Sequence, residues 1–389
     1  MATTLPKDTA TPTLRDVRFI DCDIHLKPLP QVLERFLPEP WRSRPTALRP
    51  MIGRGSFYAP YTGGNRTDAT PDGGPPGSNP EIVGQQLFVD AEIDFAINIP
   101  SGPPFSSPLD PDLNAAATHA INEWQAATWL SEYNTHGRYK GSIIIPMNNP
   151  PMAVREIEKW VGHPHFVQIC VPNHAGVPLG DRQFHPIWEA AARARLPVAM
   201  HVNRGGADPM ITPVGFLQRY GEFNGIGFPM YYMSHLISFI SEGVFTRYPD
   251  FRVVFVEGGF SWVGPIMSRL DANWRLLRSE VPEVAVLPST YLRDHVRFSS
   301  QPVDDPEDVR DLVDVYEWCD ARHLLMFSTD YPHWDFDNPS RAIPARLGDA
   351  LRRRIYVDNA REFYELPGTR SRDEFDQKLE NQNRRTAKK

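Results

Sequence analysis

Cysteine is scarce in this chain. Cys22, Cys170 and Cys319 are the only three thiols in 389 residues, and they stand far apart. An odd, scattered set excludes a disulfide framework and fits a reducing compartment. Long apolar runs are also missing: none approaches the roughly 20 residues that a membrane-crossing helix needs. The N-terminal MATTLPKDTATPTLRD has no apolar stretch of the kind an export signal carries. A cytoplasmic protein without a membrane partner is therefore expected. Basic charge is not in excess either. The net charge of −7 gives no electrostatic footprint for nucleic acid.

Proline, in contrast, is abundant, with 39 residues. Much of it lies between Pro38 and Pro108 among glycines, as in GGPPGSNP (73–80). Such a segment builds neither a regular helix nor a central strand. Residues 50–80 are read as an excursion over one end of the fold. Residues 1–16 read as a flexible N-terminal segment and 366–389 as a charged C-terminal arm, placed to reach a neighbouring subunit.

Between these ends, in residues 17–365, short apolar runs alternate with helical patterns. The runs are RFIDCDIH (18–25), DFAINIP (94–100), GSIIIP (141–146), FVQICVP (166–172), PVAMHVN (197–203), RVVFVEGG (252–259), VRFSSQP (296–302) and LLMFSTDYPH (324–333). They are β-branched, short, and bounded by Pro or Gly, as buried parallel strands are. Helical stripes occupy 111–133, 181–195, 234–249, 261–277 and 305–319, the last opening on acidic residues. Eight strands alternating with helices predict an α/β chain folded as a distorted (β/α)8 TIM barrel, with the Gly/Pro-rich loop excursion between its first two strands. A doubly wound sheet is the rival, but no Gly-rich turn follows the first run.

Barrel chemistry sits at the C-terminal ends of the strands. The second, third and fourth runs end in plain proline (Pro100, Pro146, Pro172), whereas the others end in polar residues. The first run ends in Asp23 and His25, the fifth in His201 and the sixth in Glu257. The seventh ends in Ser300 and Gln301, and the eighth in Asp330 followed by His333. Asp23 and His25, two apart, face the same side of a strand, and Asp21 shares that face one layer deeper. Imidazoles and carboxylates converging on one mouth predict a metal site, because a cation offsets the cost of burying the carboxylates. Nitrogen and oxygen donors in this mixture suit one divalent transition metal: Zn, Mn or Fe.

These motifs, DCDIH, MHVN, GVFTRYPDFRVVFVEGGFSWVGPIMSRLD and FSTDYPHWD, resemble the amidohydrolase-related proteins, in the branch that includes aminocarboxymuconate-semialdehyde decarboxylase. The resemblance covers roughly residues 17–365. It implies a distorted barrel with a catalytic divalent metal, usually zinc or manganese, and an assembly of two or more copies. Carried over by position, it implies Asp23, His25 and His201 as ligands, with Asp330 contacting the metal or its water. FVQICVP lacks the lysine that bridges two metals in many relatives, so one metal is expected. Where the decarboxylases tend to carry His-Gly-Gly, this chain has Glu257-Gly258-Gly259. Glu257 is then a further ligand, a base, or a support for a ligand histidine.

Metal-dependent hydrolysis of a small cyclic or aromatic substrate is the first expectation. Metal-activated water would attack, with Asp330 or Glu257 as base. The alternative is non-oxidative decarboxylation of an aromatic or enoic acid at the same metal; a barrel that only binds a ligand is a third. Substrate contacts are expected from His333, Trp334, Arg204 and His235. For His333 the bland reading is loop packing, and for His235 it is helix packing. Trp262, Phe57, Tyr58 and Tyr61 would add aromatic walls.

Overall fold

The computed structural model describes residues 14, 17–44, 64–70, 74–100, 110–173, 176–202, 211–212, 215–216 and 220–368. Arg204, Phe57, Tyr58, Tyr61 and most of both terminal segments lie outside these residues.

Eight parallel strands form one sheet, a (β/α)8 TIM barrel. They are β1 (Phe19–Ile24), β2 (Ile93–Asn98), β3 (Tyr139–Ile144), β4 (Phe166–Pro172), β5 (Val198–His201), β6 (Val253–Val256), β7 (Val296–Ser299) and β8 (Leu325–Met326). Their side chains are buried on both faces almost throughout, which is why the runs are apolar without alternation. The eighth run is read from sequence as a strand over 324–333, yet only two residues form a regular ladder with β7. The rest serves as a seam to β1. Cys22 N–H donates to Phe327 O (3.0 Å), Asp330 N–H to Asp23 O (3.1 Å) and His25 N–H to Tyr331 O (2.6 Å). These bonds close the barrel.

The helices keep the expected order with shifted ends. Asp110 caps Pro111–Ala127 by accepting from Asp112 N–H and Leu113 N–H, and proline follows at the first helical position. The pattern read over 181–195 divides. Asp181 caps a short turn, Arg182–Phe184, and the helix proper is His185–Ala194. The pattern over 234–249 also divides: a helix spans Phe228–Ser241, then Gly243 at φ +66° separates it from Val244–Arg247. Helices over Val263–Leu277 and Val309–Trp318, the latter capped by Asp308, follow β6 and β7, and two helices that the sequence reading does not mark, Pro150–Trp160 and Pro288–His295, respectively follow β3 and precede β7. A small antiparallel hairpin, Ile211–Thr212 with Gly215–Phe216, follows β5 and is not anticipated by the sequence reading. The final helix, Asn359–Phe363, closes the far end of the barrel. Tyr364 OH donates there to Gln168 Oε1 at the start of β4 (2.9 Å). That leaves the C-terminal mouth of the strands for chemistry. No helix among the described residues is long and apolar enough to cross a membrane.

Candidate metal centre and active site

Asp23 ends the inward face of β1. It is fully buried, and neither carboxylate oxygen has a hydrogen-bond partner among the described residues. Its oxygens lie 3.4 Å from His25 Nε2 and 3.6 Å from His201 Nε2. Glu257 Oε2 stands 3.2 Å from His201 Nε2. One ligand atom each from Asp23, His25, His201 and Glu257 lies within 4.8 Å of the others, and His25, Asp330 and His333 form an overlapping set.

Both histidines are oriented by backbone. His25 Nδ1 is 2.7 Å from Ile99 O, and His201 Nδ1 is 2.5 Å from Val202 O. A carbonyl only accepts, so each Nδ1 carries the proton and each Nε2 turns its lone pair to the centre. There His25 Nε2 meets Asp330 Oδ1 at 2.8 Å as well as Asp23. Lone pairs converging on one point require a positive charge between them. In the chain alone that charge is a proton. Burial opposes it, but Asp23 and Asp330 outweigh burial and push His25 up to about 9. A divalent cation meets the same need for more of the donors at once. The unpartnered Asp23 oxygens, Asp330 Oδ2 and His201 Nε2 fit such an ion.

Glu257 reaches the centre through its backbone. Phe255 faces outward, against Tyr232 of the helix Phe228–Ser241. Regular alternation would send Glu257 the same way. Its φ of +60° re-aims the side chain inward, and Asp330 has the same left-handed φ of +60°. Two non-glycine residues in this conformation at one mouth mark stored strain at the centre. The Glu257 backbone is held by its N–H donating to Ser299 Oγ (2.9 Å). Tyr232 OH, short to Val256 O and 3.1 Å from Met200 O, ties β5 to β6 directly beneath His201 and Glu257. Gly258 allows this approach, since a Cβ there would lie 1.8 Å from the Tyr232 ring.

Asp330 Oδ1 is shared by His25 and by His333 Nδ1 at 2.7 Å, and the two imidazoles face each other with centroids 4.5 Å apart. Burial works against the Asp330 charge, yet His333 and His25 hold its carboxyl well below the usual range. Burial lowers His333 more than Asp330 raises it. Trp334 stands at the rim, 47% exposed. The loop around residue 65 runs beside it: Trp334 N–H donates to Gly64 O and Arg66 N–H to Pro332 O. Gly77 sits on the other side, where a Cβ would meet His25 O at 2.5 Å.

His235 differs from the sequence reading, and Asp21 serves the seam. Asp21 accepts from Thr329 N–H (3.0 Å), Thr329 Oγ1–H (2.5 Å) and Asp23 N–H (3.1 Å), and so clasps the seam; burial still raises its carboxyl to about 7. His235 spends both ring nitrogens on backbone, at Leu179 N–H and Asn173 O, which leaves neither for a substrate. Ile99, Tyr232, Ser299 and Thr329 are the supporting residues that sequence reasoning missed. A serine or threonine inside a strand-end run is the local signal for Ser299 and Thr329; Ile99 and Tyr232 offer none.

Comparison with known proteins agrees with this architecture. Residues 20–366 match the family described as Amidohydrolase, and the chain belongs to that family. A gamma-resorcylate decarboxylase of Polaromonas sp. (strain JS666) is 24% identical over 250 residues, 59% of this chain and 71% of the relative. Among solved structures, the amidohydrolase map2389c of Mycobacterium avium subsp. paratuberculosis K-10 superposes with a TM-score of 0.64 at 20% identity, over 90% of this chain and 98% of that one. The 5-carboxyvanillate decarboxylase of Novosphingobium aromaticivorans, complexed with manganese and 4-hydroxy-3-methoxy-5-nitrobenzoic acid, gives 0.63 at 17% identity, over 93% and 100%.

Proposed function

We propose that the chain is a metal-dependent, non-oxidative decarboxylase of a hydroxylated aromatic acid. The observation that carries this reading is the buried mouth cluster, in which both Asp23 oxygens, Asp330 Oδ2 and His201 Nε2 have no hydrogen-bond partner among the described residues. The decarboxylases among its relatives favour this reaction over metal-dependent hydrolysis, the first expectation from sequence. Manganese in one of them supports a divalent transition metal here.

Asp23, His25, His201 and Asp330 would hold the ion, with Glu257 beside His201 as a further ligand. Bound there, a divalent cation supplies the positive charge that fixes an anionic acid and draws electron density from it. The chain's own residues do the rest. Ile99 O and Val202 O keep the two imidazoles in one tautomer. His333, at the more open edge and 2.7 Å from Asp330 Oδ1, takes up a proton from solvent, and the Asp330 carboxylate holds the imidazolium so formed. That proton goes to the ring carbon that bears the carboxylate. The carbon–carboxylate bond then breaks, its electrons return to the ring, and carbon dioxide leaves; no water is consumed.

The test is to load the protein with manganese in deuterated water and offer a panel of hydroxybenzoates. The expected result is carbon dioxide release with one deuterium on the vacated ring carbon. Hydrolysis of ester or amide analogues, with labelled water oxygen in the product and no carbon dioxide from any acid, would replace this reading with the hydrolytic one.

A further inference from the structure

We propose that Gln301 is a substrate-recognition residue that reads a ring hydroxyl standing beside an acceptor oxygen; the identity of the ligand rests on the aromatic-acid reading above. Gln301 is 0% exposed, and neither its Oε1 nor its Nε2 has a hydrogen-bond partner among the described residues. Buried polar groups in folded proteins are almost always paired, and an unpaired carboxamide is costly. The residue is thus an exception that calls for a partner from outside the chain.

Its place in the barrel says where that partner would lie. On β7, Phe298 faces outward, with ring centroids 5.4 Å from Phe255, 5.5 Å from Phe260 and 5.4 Å from Trp262. Ser299 therefore faces inward, where its Oγ accepts from Glu257 N–H. The ladder continues through Ser300, whose N–H donates to Met326 O (2.8 Å). Gln301 lies two residues beyond Ser299, past the end of β7, and the alternation continued to it gives it the Ser299 face. Its own N–H is anchored on Ser328 Oγ at 3.1 Å. The carboxamide thus belongs to the inward register between the strand ends that carry Glu257 and Asp330.

The chemistry narrows the ligand. A carboxamide is neutral and offers an acceptor and a donor side by side. A cation would leave Nε2 unmet, and an isolated carboxylate would leave Oε1 unmet. A hydroxyl next to an acceptor oxygen on one edge of a ring satisfies both, donating to Oε1 and accepting from Nε2. The surrounding carboxylates bias the site further toward an uncharged group at this point. A site built to bond a hydroxyl discriminates strongly against the analogue that lacks it.

The experiment measures equilibrium binding of 2-hydroxybenzoate, 2,3-dihydroxybenzoate and 2,6-dihydroxybenzoate to the manganese-loaded wild type and to Gln301→Leu, with metal content and Tm recorded for both. At least one added hydroxyl is expected to tighten wild-type binding about tenfold or more. Gln301→Leu is expected to lose that gain at unchanged metal content. Its Tm should be equal or higher, because an unpaired buried amide has been replaced by an apolar group of similar size. Three results would overturn the assignment: no gain from any added hydroxyl in the wild type, a gain retained in Gln301→Leu, or a variant that melts several degrees lower or loses its metal. Turnover is read separately. Hydroxyl-dependent binding lost in the variant, without carbon dioxide release, keeps the Gln301 assignment and removes the decarboxylase reading. Carbon dioxide release with unchanged hydroxyl preference does the reverse.

Discussion

His201 projects from the last residue of a buried strand, and its Nε2 has no hydrogen-bond partner among the described residues. Replacing it with alanine removes a ligand atom from the centre, beside the unpartnered Asp23 oxygens. Elemental analysis is expected to find about one transition-metal ion per chain in the wild type and little or none in His201→Ala; equal metal content in both proteins would remove His201 from the site. Asp337, outside the ligand set, supports a second prediction. Burial raises its carboxyl from the ordinary 3.8 to about 7, while Val303 N–H, donating to Oδ2 at 3.2 Å, works in the other direction. The folded chain therefore keeps a proton there that the unfolded chain has lost above pH 4. That contribution to stability is present at low pH and is lost as pH rises through 7. Asp337→Asn should match the wild type near pH 4 and exceed it by on the order of 2 kcal/mol at pH 8. Denaturant melts at the two pH values check this, and an equal effect at both would refute the shift.

Elements show what a sequence can and cannot disclose. The first, fifth and eighth strand ends are legible because each interrupts an apolar run with a residue that is costly to bury. The inward turn of Glu257 is not, since it depends on a φ of +60° that no alternation rule predicts. Tyr232 reads as one more aromatic in a helix; its clamp on Met200 and Val256 depends on how that helix seats against two strands. The eighth run reads as a long strand because its composition is strand-like, although most of it pairs irregularly across the seam. Thr329 is central to that seam. Its hydroxyl donates to Asp21 and accepts from Tyr331 N–H at 3.2 Å. Thr329→Val keeps the shape and removes both bonds, and is expected to cost about 2–3 kcal/mol in denaturant melts. A cost within experimental error would mean that the seam is held by backbone bonds alone.

For the whole molecule, the proposed metal would be linked to the fold. An ion that binds only the folded barrel stabilises it by about 2.7 kcal/mol at a hundredfold excess over its Kd. Chelation should therefore lower Tm, and manganese should restore it in a concentration-dependent way. His201→Ala should melt at the same temperature with and without chelator. A wild-type Tm indifferent to chelator and added metal would mean that the carboxylates are accommodated without a cation. The barrel itself is legible from the order of its runs. Chain closure is less so, because it is made by β1 and the segment after β8, which lie at opposite ends of the sequence.

That closure has a bearing on biosynthesis. The hydrogen bond between His25 and Asp330 spans 305 positions in the chain. A ribosome therefore releases Asp23 and His25 long before the residues that complete their surroundings exist. Until Thr329 and Asp330 emerge, the first strand has an open edge and a cluster of acidic and imidazole groups with nothing to enclose them. Capture of the proposed ion would thus be a late event in synthesis. A message truncated anywhere before codon 330 should yield a product that holds no ion tightly, and one exposed to quality-control proteases along its first strand.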